Sequence, residues 1–107
     1  MKVNLVKRQT IEDYAAAHAG SSVSFGIWLS TLKYVDWNVP GDINDTYGSA
    51  DLLLNGSSRV VFNIAGNSYR MICKYMFGSK QVHLYVRWIG THAAYTKLCN
   101  SGRQYAV

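Results

Sequence analysis

Residues 59–97, RVVFNIAGNSYRMICKYMFGSKQVHLYVRWIGTHAAYTK, constrain the fold more than any other part of the chain. Three runs rich in Val, Ile, Tyr, Phe and Trp are separated by Gly66-Asn67 and Gly78-Ser79. Such dipeptides close tight hairpins, because Gly and Asn tolerate the positive φ that these turns need. Centring the first hairpin on Gly66-Asn67 sets Ile64 opposite Tyr69, Asn63 opposite Arg70, Phe62 opposite Met71 and Arg59 opposite Lys74. Centring the second on Gly78-Ser79 sets Lys74 opposite His83, Ile72 opposite Tyr85, Arg70 opposite Arg87 and Tyr69 opposite Trp88. Strand side chains alternate between faces. One face then carries Val60, Phe62, Ile64, Tyr69, Met71, Cys73, Tyr75, Val82, Leu84, Val86 and Trp88, which is a core. The other carries two rows, Asn63-Arg70-Arg87 and Arg59-Lys74-His83, with Val61, Ile72 and Tyr85 between them.

Like charges directly opposite one another cost stability, so an Arg70-Arg87 pair calls for an anion between the guanidinium groups, and a phosphate fits. An antiparallel sheet commonly has a solvated polar face, and cations alone do not make a site. The segment Thr91-His92-Ala93-Ala94-Tyr95 adds to them. With Gly90 ending the strand, one helical turn delivers His92 and Tyr95 to the end of the Asn63-Arg70-Arg87 row. Guanidinium groups, an imidazole and a phenol suffice for RNA cleavage without a metal or cofactor: a base takes the 2′-hydroxyl proton, cations stabilise the phosphate and an acid protonates the leaving oxygen. An exposed Tyr85 between cationic rows can stack on a base, while His83 is peripheral. His18, Trp28, Trp37 and Trp88 are expected to pack rather than bind.

The 107 residues make one domain, 1–107, with 49% hydrophobic residues and a formal charge of +5. That charge favours a polyanionic partner over a membrane surface. No apolar run is long enough for a signal peptide or a bilayer span, so the expected location is cytoplasmic. Cys73 points into the predicted core and Cys99 lies apart, which predicts free thiols and no zinc site. Residues 2–7 alternate as an edge strand. Thr10 and Asp13 resemble a capping box for a first helix reaching Gly20. Phe25, Trp28, Leu29, Leu32 and Val35 form the apolar stripe of a second, capped by Ser21 or Ser22. Pro40-Gly41 is expected to stop helical structure, leaving residues 38–57 as a loose connection. The order β-α-α-β-β-β, with a short C-terminal turn or helix, predicts an α+β two-layer sandwich whose antiparallel sheet packs on a helical hairpin.

The strings Val61-Phe62-Asn63-Ile64, Gly66-Asn67-Ser68-Tyr69-Arg70 and Ile89-Gly90-Thr91-His92-Ala93-Ala94-Tyr95 resemble the HigB toxins of the RelE/ParE superfamily, as do Asp36-Trp37, Pro40, Asp42-Ile43, Tyr47 and Ala50-Asp51 upstream. The resemblance implies a RelE-like sandwich and a ribosome-associated mRNA endoribonuclease. It also implies a HigA-like helix-turn-helix antitoxin partner, through which alone operator DNA is bound. Family activity maps onto Arg70, Arg87, His92 and Tyr95, with Lys74 as an auxiliary cation; the outer face itself adds Arg59, Asn63, His83, Tyr85 and Lys97 as expected RNA contacts alongside Lys74. The acidic residue that many members carry beside the tyrosine is replaced here by Ala94 and Thr96, so His92 or Tyr95 is expected to supply any base. A gyrase inhibitor of the ParE kind and a non-catalytic RNA-binding module are the alternatives, because fold alone does not fix activity.

Overall fold

The structure is a computed structural model and describes all 107 residues. The chain opens with strand β1 (Lys2–Val6), followed by helices α1 (Arg8–Ala17), α2 (Ser22–Leu32) and α3 (Gly41–Thr46). Strands β2 (Asp51–Leu52), β3 (Arg59–Ile64), β4 (Tyr69–Phe77) and β5 (Gln81–Thr91) come next. Helix α4 (His92–Asn100) and a 3₁₀ turn (Arg103–Tyr105) close the chain. The five strands form one sheet in the order β1-β5-β4-β3-β2. The sheet is mixed rather than wholly antiparallel, since β1 runs parallel to β5, with Val3 beside Val82 and Leu5 beside Leu84.

Periodicity located α1 and α2, but their ends differ from expectation. Lys7 takes a left-handed φ of 73° and α1 begins at once, so Thr10 sits inside the helix and caps nothing. The α2 stripe behaves as its spacing predicts: Phe25, Trp28 and Leu32 are buried, with Leu29 and Val35 packed at the margin. Ser21 offers α2 no side-chain cap; its hydroxyl donates instead to the His18 carbonyl. Pro40 does not end a helix but starts one. Its fixed φ suits a helix start, where a missing N–H costs nothing, and the Asp42 carboxylate accepts from the Asn38 and Val39 amides at 2.8 and 3.2 Å. The segment expected to be loose is pinned at several points. Trp37 is 1% exposed and donates through Nε1 to Thr46 Oγ1 at 2.9 Å. Tyr47 donates to the Trp28 carbonyl at 2.8 Å, and Asp51 pairs with Val61 to extend the sheet.

The first hairpin has the register expected of Gly66-Asn67, including Asn63 opposite Arg70 and Arg59 opposite Lys74. The second does not. Gly78 donates to the Gln81 carbonyl at 3.0 Å, so Ser79-Lys80 forms the tip and Phe77 faces Val82. A bulge then shifts the ladder between Cys73, which faces Val86, and Ile72, which faces Trp88. Arg87 is the extra residue. A bulge lets two successive side chains share one face, so Arg87 and Trp88 both point outward and Ile89 replaces Trp88 in the core. The other predicted core residues of these strands pack together under α1, α2 and α3. Nor does Gly90 end β5, which runs on through Thr91.

Thr91 Oγ1 accepts from the Ala94 amide at 3.1 Å, the capping bond that starts α4. The helix folds back over the outer face, where Leu98 joins Val61 and Ile72 in a second small core bordered by Leu53, Trp88, Tyr95 and Val107. Helices therefore cover both faces of the sheet, not one. No helix is long and apolar enough to cross a membrane.

Candidate functional site

The corrected register redraws the outer face as three rows. Arg59-Lys74-Tyr85 lies at one level, Asp51-Val61-Ile72-Trp88 at the next, and Asn63-Arg70-Gly90 at the third. Arg70 thus faces Gly90 and not Arg87, and Lys74 faces Tyr85 and not His83. The like-charge pair that sequence alignment of the hairpins predicts does not form.

Arg70 carries the chemistry of the third row. It is 8% exposed, and its guanidinium donates to the Tyr69 carbonyl at 3.0 Å and to Asn67 Oδ1 at 3.3 Å. Neither acceptor is charged. The two salt bridges of the protein are Met1–Asp36 and Arg8–Glu12, so Arg70 has no carboxylate partner. A guanidinium has five N–H donors, and burying its charge without a counter-ion is costly. Arg70 therefore keeps its charge with hydrogen bonds to neutral groups alone and makes no ion pair within the protein.

Two further groups come to the same place. The His92 amide donates to the Ser68 carbonyl at 3.0 Å, so the start of α4 is tied to the hairpin loop whose Asn67 holds Arg70. The His92 side chain is exposed there. Tyr95, one turn along α4, is half-buried, with its ring 6.1 Å from that of Trp88. Burial pushes its phenol pKa well above the usual value, and the Cys99 thiol and the Asp51 carboxylate push the same way, while Arg70 pulls it down only in part. Tyr95 is thus protonated at neutral pH.

Ala94 and Thr96 leave Tyr95 without an acidic neighbour in sequence, yet the Asp51 carboxylate lies within electrostatic reach of it. It comes from β2, far from Tyr95 in sequence, and acts on Tyr95 across the sheet. Trp88 is the other residue that sequence reasoning missed. A side chain at Gly90 would place its Cβ 2.5 Å from the Trp88 ring, so the indole lies over the one position opposite Arg70 that has no side chain. The bulge that turns Trp88 outward leaves no composition signal.

The remaining candidates scatter around this centre. Arg59 donates to the Val107 carbonyl through Nε at 3.1 Å and Nη2 at 2.8 Å, and Arg87 Nε reaches the same oxygen at 3.2 Å. Burial, and then the charge of Arg87, hold the Arg59 pKa below its ordinary value. Asn63 also lines a separate groove of about 300 Å3 with Ile27, Trp28 and Tyr47. His83 faces Met76, meets Asn4 of β1 at 3.3 Å and has its ring 6.2 Å from that of Tyr85. Lys97 projects from the flank of α4 away from Tyr95, beside Trp88 and Arg103. Tyr95 lies within electrostatic reach of Arg70, and His92 is tied by its backbone to the loop that holds Arg70; Arg87 forms a second group with Arg59.

No curated protein matches the chain. The family model for HigB toxin, the RelE-like toxic component of a toxin-antitoxin system, matches residues 22–98, which run from α2 through most of α4 and contain every element that builds this site. The chain belongs to the HigB toxin family and is the toxin of a toxin-antitoxin system.

Proposed function

We propose that this toxin is a metal-independent mRNA endoribonuclease of a type II system, acting in the cytoplasm on ribosome-bound mRNA to stop translation. The observation that carries this is Arg70, a nearly buried guanidinium bonded only to neutral groups, beside an exposed imidazole and a protonated phenol. Arg70 binds the non-bridging oxygens of the scissile phosphate and stabilises the charge that develops there. His92 takes the 2′-hydroxyl proton, the general-base role that an imidazole most often fills. The 2′-oxygen attacks phosphorus, the bond to the 5′-oxygen breaks, and Tyr95 gives that oxygen its proton, leaving a 2′,3′-cyclic phosphate and a 5′-hydroxyl. Burial keeps the Tyr95 phenol protonated, the form that a general acid needs, and this supports giving Tyr95 the acid role and His92 the base role. Arg59, Arg87 and Lys74 contact flanking phosphates, with Asn63, His83, Tyr85 and Lys97 around them.

The antitoxin is a HigA-like helix-turn-helix protein, and operator DNA is reached only through it. It docks on the outer surface of α1 and α2, from Ile11 to Val35, where Val23 and Ile27 stand 76% and 64% exposed. Mapping cleavage ends on translating ribosomes tests the enzymatic assignment. His92→Ala lowers cleavage by about 10²-fold or more with ribosome binding unchanged, and Tyr95→Phe lowers it as well. A fully active His92→Ala protein refutes the mechanism. Inhibition of DNA supercoiling with no RNA cleavage replaces it with a gyrase-directed toxin.

A further inference from the structure

A cleft of about 400 Å3 lies on the flank of α4, lined by Trp88, Ala94, Lys97, Leu98, Ser101 and Arg103. Two of its features point to one ligand class. Its aromatic wall is Trp88, a partly buried indole held in orientation by packing on Gly90 and the Leu98 cluster. Its rim carries Lys97 and Arg103, both exposed and neither in a salt bridge. No acidic side chain lines it. A flat, immobilised aromatic surface with unpaired cations at its edge suits a nucleobase with its own phosphate, since stacking is indifferent to base identity and the cations follow the backbone. Trp88 also connects the cleft to the site of Arg70, because its ring is 6.1 Å from that of Tyr95. A strand whose scissile phosphate rests on Arg70 can place a neighbouring nucleotide here.

We infer that Trp88, Lys97 and Arg103 form a subsite for one nucleotide adjacent to the cleaved bond in single-stranded RNA, with the base stacked on Trp88 and its phosphate between the two cations. This rests on the nuclease assignment above and adds to it a residue, Trp88, that sequence places in the core. A nucleotide held here fixes the register of the strand, so the subsite helps to decide which phosphate reaches Arg70. It confers little base preference, which stacking does not supply.

The test uses the full-length toxin and 2′-O-methyl oligoribonucleotides, which bind but lack the attacking hydroxyl. Trp28 and Trp37 are 4% and 1% exposed, so quenching of tryptophan fluorescence by the oligonucleotide reports Trp88. Quenching is expected, with its loss in Trp88→Phe. The Lys97→Ala/Arg103→Ala protein alters only exposed side chains and keeps its fold. Its affinity is expected to fall roughly tenfold or more, with a salt dependence shallower by about 0.7 per lost phosphate contact. If this protein binds unchanged while Arg70→Ala binds weakly, the subsite is refuted and the nuclease assignment stands. If no oligonucleotide of any length binds, the subsite is refuted, and cleavage on translating ribosomes decides the nuclease assignment separately. If an acidic antitoxin segment, and no oligonucleotide, quenches Trp88 in a Lys97- and Arg103-dependent way, the cleft belongs to the antitoxin and the RNA subsite is refuted.

Discussion

Gly90→Ala provides the most direct test of how the site is built. A Cβ at this position would lie 2.5 and 2.6 Å from two atoms of the Trp88 ring, closer than carbon atoms approach without displacement. The ring is not the free end of a flexible chain: it borders the small core of Val61, Ile72 and Leu98 beneath α4. Forcing extra volume into a packed site costs about 1–3 kcal/mol. Against that, replacing Gly by Ala in a strand recovers roughly 0.5–1 kcal/mol of backbone entropy. The expected net destabilisation is about 0–2.5 kcal/mol, measured from the urea midpoint at constant m. Because Gly90 faces Arg70, the displaced indole also perturbs the anion site, and cleavage falls with stability. A double-mutant cycle isolates the cause. In a Trp88→Ala background the clash partner is gone, so adding Gly90→Ala is expected to be neutral or stabilising, a coupling of about 1–3 kcal/mol. Equal destabilisation in both backgrounds would refute the packing of Trp88 over Gly90, and with it the bulge at Arg87 that turns Trp88 outward.

Stability is expected to fall at alkaline pH. Burial raises the pKa of Cys73, Tyr47 and Tyr95 in the fold, so the unfolded chain ionises first, and stability present below the ordinary thiol and phenol values (about 8.5 and 10) is lost as pH rises through them toward the folded values. Cys73→Ala should flatten the early part of this loss by up to about 1.4 kcal/mol per pH unit, and an unchanged pH profile would place the thiol outside the core. Deleting Ala106 and Val107 removes the carbonyl that Arg59 and Arg87 share. The salt dependence of RNA binding should then steepen by about 0.7 for each arginine released, whereas an unchanged slope means that neither guanidinium meets phosphate. Ile27→Asp puts a charge on the exposed, uncharged face of α2 and should weaken antitoxin binding at least tenfold while leaving cleavage intact; unaltered antitoxin affinity would move that interface elsewhere.

The residues that sequence placed correctly are those whose position depends on local periodicity. Asn63 opposite Arg70 follows from one turn, Gly66-Asn67, whose chemistry is unambiguous. The α2 stripe follows from helical spacing. His92 and Tyr95 share one side of α4 because Thr91 caps it where the sequence changes from strand to helix. The errors arose where a long-range contact decides between local choices of similar cost. Gly78-Ser79 and Ser79-Lys80 are both acceptable tips, and moving from one to the other keeps every residue on its face. The bulge at Arg87 does not, because one extra residue exchanges the faces of everything after it. Its cause is visible only in three dimensions: with the extra residue, Trp88 lies over Gly90 and under α4, and Ile89 fills the core. The influence of Asp51 was illegible for a related reason, since its charge comes within range of Tyr95 only because β2 joins the sheet beside Val61. The same bulge that broke the predicted Arg70-Arg87 pair therefore left Arg70 opposite a glycine. A single guanidinium facing a glycine avoids the repulsion that two opposed guanidinium groups would have to overcome before any anion arrived.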